Sequence, residues 1–266
     1  MRRTAAVALL ALALLGATPA AGVPPLRVCA DPNNLPFSNA RGEGFENRLA
    51  ELLAAELGTR VEYTWWAQRR GFVRHTLGAG ACDLIVGVPV GWNPVLATRP
   101  YYRSSYVFVW RRDRALNVRS LADPRLRHFI IGVQLVGDNG VNTPPAHALA
   151  ARGIVANVRG YSVYGDHAAA HPAAAVLDAV ARGDIDVAIV WGPLAGYFAG
   201  RLAAALEWAL VTPTAELPLR FTFAIAAGVR KDATALRDRV QAALDRRAVD
   251  VQAILDDYAV PRVSMP

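Results

Sequence analysis

The stretch Cys29 to Asn39, CADPNNLPFSN, gathers an acid, three asparagines, a hydroxyl, an aromatic ring and two prolines directly after a short apolar run. Asp31, Asn33, Asn34, Ser38 and Asn39 supply donors and acceptors, Phe37 a flat apolar wall, and the prolines restrict the backbone. That mixture suits the rim of a binding cleft, and the same residue types also build plain turns. A second concentration is TWWAQRRGF, which sets Trp65, Trp66, Gln68, Arg69 and Arg70 at the end of a strand-like run. Adjacent strand residues point to opposite faces, so at most one of the two tryptophans faces a core; Trp66 is assigned to the site. Trp92, Tyr101, Tyr102 and Trp191 join it at neighbouring strand ends, with Gln134 closing the strand FIIGVQ. Aromatic walls with few convergent polar groups fit a small-ligand site or a protein contact surface. Finally, VGDNGVNTPP places Asp138, Asn142 and Thr143 before a helix. The helix start offers free N–H groups to an anion, while Asn142 or Thr143 alternatively serves as its cap.

Other chemistries find less support. His167 and His171 stand four apart beside Asp166, but Pro172 points to a loop there, and no metal site is assigned. G-x-S-x-G and H-E-x-x-H motifs are absent, and no cysteine has an activating histidine nearby. The chain is therefore expected to be no enzyme and to need no cofactor. Its formal net charge of +7 is scattered, without an arginine-rich tract interleaved with aromatics, which argues against nucleic acid as a partner. All basic residues except Lys231 are arginine.

Elements must position these groups. Arg2 and Arg3, the apolar run Ala5–Leu15 and the small residues near Ala20 describe a cleaved secretory signal over residues 1–22, too short to span a membrane. No later segment is apolar enough for membrane insertion. The remaining chain alternates strand with helix. LRVCA, RVEYTWW and CDLIVGVPV read as strands around the helices GFENRLAELLAAELG and RGFVRHTLGAGA, a βαβαβ pattern typical of parallel sheets. The alternation restarts at FIIGVQ and runs through NVRGYSV, DIDVAIVWG and WALVTPT, with helices at NTPPAHALAARG, HPAAAVLDAVARG and PLAGYFAGRL. Strand-like connections fall at about 104–112 and 218–228, and two helices end the chain. The reading is α/β, with two lobes facing across a cleft: residues 23–110 begin lobe 1, 111–214 form lobe 2, and 215–266 return to lobe 1. Ligands in such sheets collect beyond the carboxyl ends of strands. If Cys29 ends the first strand and Cys82 starts the third, adjacent one, they lie about five residues or roughly 16 Å apart along the sheet. That exceeds the reach of a disulfide, so two buried thiols are expected.

GFENRLAELLAAELGTRVEY, GACDLIVGV, PYYRSSYVFV, SLADPRLRHFIIGVQ and VARGDIDVAIV resemble type II periplasmic solute-binding proteins of the amino-acid-binding family. RVCADPNNLPFSN, VEYTWWAQRRGFVRHTL, GVQLVGDNGVNTPPAHALAARGI, YSVYGD and DVAIVWGPLAGYF more narrowly resemble J-type accessory proteins (MxaJ/XoxJ-type) associated with PQQ-dependent methanol dehydrogenases. The resemblance implies a two-lobed type II periplasmic binding protein fold, each lobe a mainly parallel sheet flanked by helices, with two crossover strands. It further implies a periplasmic location and a PQQ-dependent dehydrogenase or its cytochrome as partner, with a small-molecule ligand as the other occupant of the cleft. In ordinary amino-acid binders an arginine clamps the ligand carboxylate and an acid receives its ammonium. The matching positions here fall near Gly91 and at Trp191, so both charged clamps are missing. Arg69, Arg70 and Arg103 are the candidates to replace the arginine. The competing expectation is a conventional ABC-transporter receptor for a small polar solute.

Overall fold

A computed structural model describes residues 23–135, 142–162, 169, 171–202 and 204–264 of the chain; the expected signal segment lies outside them. Leu26–Ala30 (β1) is short and almost wholly buried. Phe45–Glu56 (α1) turns Phe45, Leu49 and Leu53 onto one buried face. The chain then reverses at Gly58, whose φ of 70° suits a residue without a side chain. Val61–Trp65 (β2) follows, then the single turn Phe72–His75 (α2) and Leu84–Pro89 (β3). Tyr102–Arg111 (β4) is the longest strand. Beyond it come Ile131–Leu135 (β5), Pro144–Ala151 (α3), Val158–Ser162 (β6), Ala175–Arg182 (α4), Val187–Trp191 (β7), Gly192–Ala199 (α5) and Leu206–Leu210 (β8). Thr222–Val229 (β9), Thr234–Arg246 (α6) and Ala248–Asp257 (α7) complete the described elements used below.

One 10-stranded mixed sheet runs β2-β1-β3-β9-β4-β7-β5-β6, with β8 also on β4 and the short strand Leu96–Ala97 also on β9. β2, β1 and β3 are parallel, and so are β7, β5 and β6. The two parallel sets are joined by antiparallel strands. Tyr102–Ser105 of β4 pairs with β9, while Tyr106–Trp110 of the same strand pairs with β7. The long connections expected from the sequence are these two strands, and the expected mixed α/β fold is what forms.

Strand alternation divides the core cleanly. In the first half, Leu26, Val28, Leu84 and Val86 pack under α1, α6 and α7. Cys29, Ile85 and Val88 face the opposite side with Phe72 of α2. In the second half, Val107, Val109, Ala188 and Val190 meet α4 and α5. Phe108, Trp110, Val187 and Ile189 meet Leu149 of α3 on the other face. Burial on both faces explains why these strands read as continuous apolar runs.

The expectation of two free thiols is overturned: Cys29 and Cys82 form a disulfide with Cα atoms 5.5 Å apart. Two physical facts account for the error. Val28 lies opposite Leu84, so the register offset is three positions, not five. Cys82 also precedes the strand, and its segment bends over the sheet face that carries Arg27 and Cys29. Arg27 donates to the Gly80 carbonyl at 2.9 Å and to the Asp83 carboxylate at 2.7 and 2.8 Å. Thr64 donates to the Ala81 carbonyl at 2.8 Å. These bonds bring the cysteine beside its partner.

Candidate ligand-binding cavity

A cavity of about 340 Å³ opens where the two halves of the sheet meet, at the low end of the roughly 300–1,000 Å³ usual for small-molecule sites. The first half contributes Asp31, Asn34, Phe37, Tyr102 and Ile225; the second contributes Tyr106, Gln134, Thr143, Trp191 and Leu194. Several stand at or just beyond the carboxyl ends of parallel strands: Asp31 after β1, Gln134 next to the last residue of β5, Trp191 closing β7. This is the position that open α/β sheets offer to ligands.

The Asp31 loop is built rigidly. One carboxylate oxygen accepts from the Asn33 N–H at 2.8 Å and the other from the Gln68 N–H at 2.6 Å. The Ser38 hydroxyl donates to the Asp31 carbonyl at 2.8 Å. Asp31 therefore ties the loop after β1 to the segment after β2. Asp31→Ala leaves two N–H groups without an acceptor, at a cost of about 2 kcal/mol. The expected result is a lower urea midpoint with an unchanged denaturant slope; an unaltered midpoint would show that the tie carries no stability. Phe37 is seated because Gly44 lacks a side chain: a Cβ there would stand 2.0 Å from the Phe37 carbonyl oxygen.

Trp191 forms the far wall, edge-on to Tyr106 at 5.5 Å and to Phe223 at 5.9 Å. Thr143 stands at the cap position of α3, but its hydroxyl donates to the Gln134 carbonyl at 2.7 Å and makes no side-chain cap. The Asn142 N–H instead reaches His147 Nε2 at 3.4 Å. The capping reading is thus replaced by a tie between β5 and the start of α3.

Of the residues singled out in the sequence, Asp31, Asn34, Phe37, Tyr102, Gln134, Thr143 and Trp191 are brought together here. Arg69, Arg70 and Trp92 line a neighbouring cavity of about 610 Å³ that shares Gln68 and Gly87 with the first. Asn33 spends its side-chain amide on the Ala169 carbonyl, 2.9 Å away. Trp66 stands apart, 39% exposed and stacked on His75. Arg103 donates to the Ser264 carbonyl. Asp138, Asp166 and His167 lie outside the described residues, and His171 packs against Phe198. No group of three metal-ligating side chains occurs among the described residues.

Glu46, in the first turn of α1, was not foreseen. Its side chain lines the cavity and makes no hydrogen bond or ion pair among the described residues. The residue is half-buried, and desolvation by the surrounding protein pushes its carboxyl from 4.5 up to about 7. It can lie there because residue 87 is glycine: a Cβ at Gly87 would stand 2.1 Å from the Glu46 Oε1 atom. The strand is also bulged at this point. Ala226 faces Val88 and Gly228 faces Ile85, so two residues of β3, Val86 and Gly87, oppose Ala227 alone. Glycine inside an apolar strand is itself a sequence signal of close approach, and it was the available clue. No arginine or lysine lines the 340 Å³ cavity among the described residues.

Two parallel half-sheets joined by shared antiparallel strands, with a polar and aromatic cavity at the joint, define a periplasmic-binding-protein fold. The crystal structure of periplasmic binding protein XoxJ from Methylobacterium extorquens AM1 matches with a TM-score of 0.74 and 36% identity, covering 90% of this chain and 100% of that one. An ancestral cationic amino acid solute-binding protein shares the fold, with a TM-score of 0.68 at 22% identity over 88% of this chain and 95% of that one. The chain belongs to the MoxJ family. It is 31% identical over 255 residues to Protein MoxJ of Methylorubrum extorquens, covering 92% of this chain and 83% of the relative. It is 30% identical over 266 residues to Protein MoxJ of Paracoccus denitrificans, covering 94% of each. No family model matches the chain.

Proposed function

We propose that this is an exported, non-enzymatic recognition protein that assists a PQQ-dependent methanol or alcohol dehydrogenase in the periplasm. Residues 1–22 act as its cleaved signal. Residues 23–110 with 215–266 form one lobe and 111–214 the other. The cavity between them holds a segment of the dehydrogenase or its cytochrome, or a small ligand. One observation carries this reading: a chain of the MoxJ family keeps the cavity of a solute-binding fold while lining it with aromatic rings and amides and, among the described residues, no arginine to clamp an amino-acid carboxylate. The dehydrogenase link itself rests on the sequence resemblance to J-type accessory proteins.

Purification from the native periplasm tests the proposal. The dehydrogenase or its cytochrome is expected to co-purify, as identified by mass spectrometry of the eluate. A bound small solute with no dehydrogenase polypeptide would overturn it in favour of a conventional ABC-transporter receptor.

A further inference from the structure

The cavity has an electrostatic sign opposite to that of the chain. The sequence carries 29 basic and 22 acidic residues, and arginines take part in every ion pair found among the described residues. Yet the cavity presents two carboxyl groups and no base among those residues. Asp31 is fully engaged by backbone N–H groups. Glu46 has no hydrogen-bond or ion-pair partner among the described residues. Around the free carboxyl stand Phe37, Tyr102, Tyr106 and Trp191, whose ring faces are attractive to cations. A carboxyl left unpaired in a crowded cavity costs stability unless a ligand completes it. Gly87 keeps the space that allows it to remain there.

We propose that the cavity recognises a cationic nitrogen on a short apolar stem, with Glu46 supplying the counter-charge and the aromatic walls enclosing the stem. This deepens the recognition role proposed above and rests on it. The chemistry fits a free alkylamine and equally a lysine side chain presented by a polypeptide. It differs from amino-acid binding because no cation among the described lining residues meets a carboxylate on the ligand.

The titratable groups that line the cavity with Glu46 are Asp31 beyond β1 and Tyr102 and Tyr106 of β4, while Tyr63 of β2 and Tyr101 before β4 interact with it electrostatically from outside the lining. Burial pushes all four tyrosine hydroxyls upward, so they stay neutral around pH 7. With Glu46 raised to about 7, the carboxylate needed by a cation is lost as pH falls below that value. Amine affinity should drop about tenfold per pH unit below 7, the slope of a single required ionisation.

The test is a titration of the full mature chain with n-butylammonium, Nα-acetyl-lysine amide and the uncharged n-pentanol, at pH 8, following tryptophan fluorescence. Both cations are expected to bind at least tenfold more tightly than the alcohol. Glu46→Gln should remove that preference. Gly87→Ala, which forces the Glu46 carboxyl to move, should weaken it while leaving circular dichroism unchanged. Tighter binding of the free amine identifies a solute site, and tighter binding of the lysine amide identifies a side-chain site; either supports the proposal. Equal binding of alcohol and amine, undiminished amine binding by Glu46→Gln, or no binding of either cation would overturn it. Co-purification of the dehydrogenase in that last case would leave the recognition role standing without the cation chemistry.

Discussion

Glu46→Gln is expected to stabilise the empty protein at pH 8 by roughly 2–3 kcal/mol, and to change its stability little below pH 4.5. The sign follows from proton linkage. In the folded chain the Glu46 carboxyl is raised from 4.5 to about 7 by desolvation. Between those values the folded state holds a proton that the unfolded state has released, so wild-type stability declines as pH rises through the window. Above pH 7 the folded protein carries an ionised carboxylate with no partner among the described residues, and the whole penalty is present. The raw shift corresponds to about 3.4 kcal/mol; hydration from the open cavity and the cost of enclosing an amide reduce it. Thermal melts at pH 4, 6 and 8 would show the variant and the wild type diverging by roughly 5–10 °C at the highest pH. A difference that stays constant with pH would mean that Glu46 is not the strained acid described here. A stabilising substitution in a cavity wall is also the usual mark of a residue kept for binding.

Much of this architecture was legible in the sequence because its cause is local. LRVCA, FIIGVQ and DIDVAIV each carry an uninterrupted apolar run, as strands covered on both faces do, and each run lies in the sheet. The spacing of Leu49 and Leu53 and the stop at Gly58 defined α1 for the same reason. Seven predicted site residues converge because carboxyl ends of parallel strands converge in this topology. The remainder depended on register and depth, which residue types do not encode. Glu46 sits in a first helical turn, where acids are common simply because they suit the helix dipole; only the Val86–Gly87 bulge turns that position into a cavity wall. Arg69, Arg70 and Trp92 were grouped with the cavity because they follow the right strands. The turn into α2 carries the two arginines past Gln68 to the neighbouring cavity instead, and the turn after β3 brings Trp92 to it as well. Trp66 pairs with His75 of α2, a contact that no strand periodicity could reveal.

Removing the disulfide should have the largest effect on the whole molecule. The double variant Cys29→Ala/Cys82→Ala is expected to lose about 4 kcal/mol, the chain-entropy value for a loop of this size, with a melting temperature lower by roughly 8–16 °C. The bridged residues are 53 apart in sequence, and the closed loop contains the Asp31 turn, α1 with Glu46, β2 and α2. Asp31, Asn34, Phe37, Glu46 and Gln68, most of the first-half lining of the cavity, therefore lie within the cross-linked loop. Both cysteines are buried, Cys29 at 3% and Cys82 at 0% exposure, so a reductant acts only after local opening. Other ties remain: Asp83 is bonded to both Arg27 and Arg230, and the backbone at position 29 stays paired with Thr64 in β2. The variant should accordingly fold, with a lower urea midpoint. Wild type melted with reductant should approach the variant, whereas reductant should leave the variant itself unmoved. A variant melting within about 2 °C of the oxidised wild type would show that the arginine ties, not the covalent bond, fix the loop. The effect on the cavity separates entropy from geometry. If the bridge acts mainly by restricting the unfolded chain, the folded variant should bind cavity probes with wild-type affinity at low temperature. If it also holds Asp31 and Glu46 in place, affinity should fall even where the variant is fully folded.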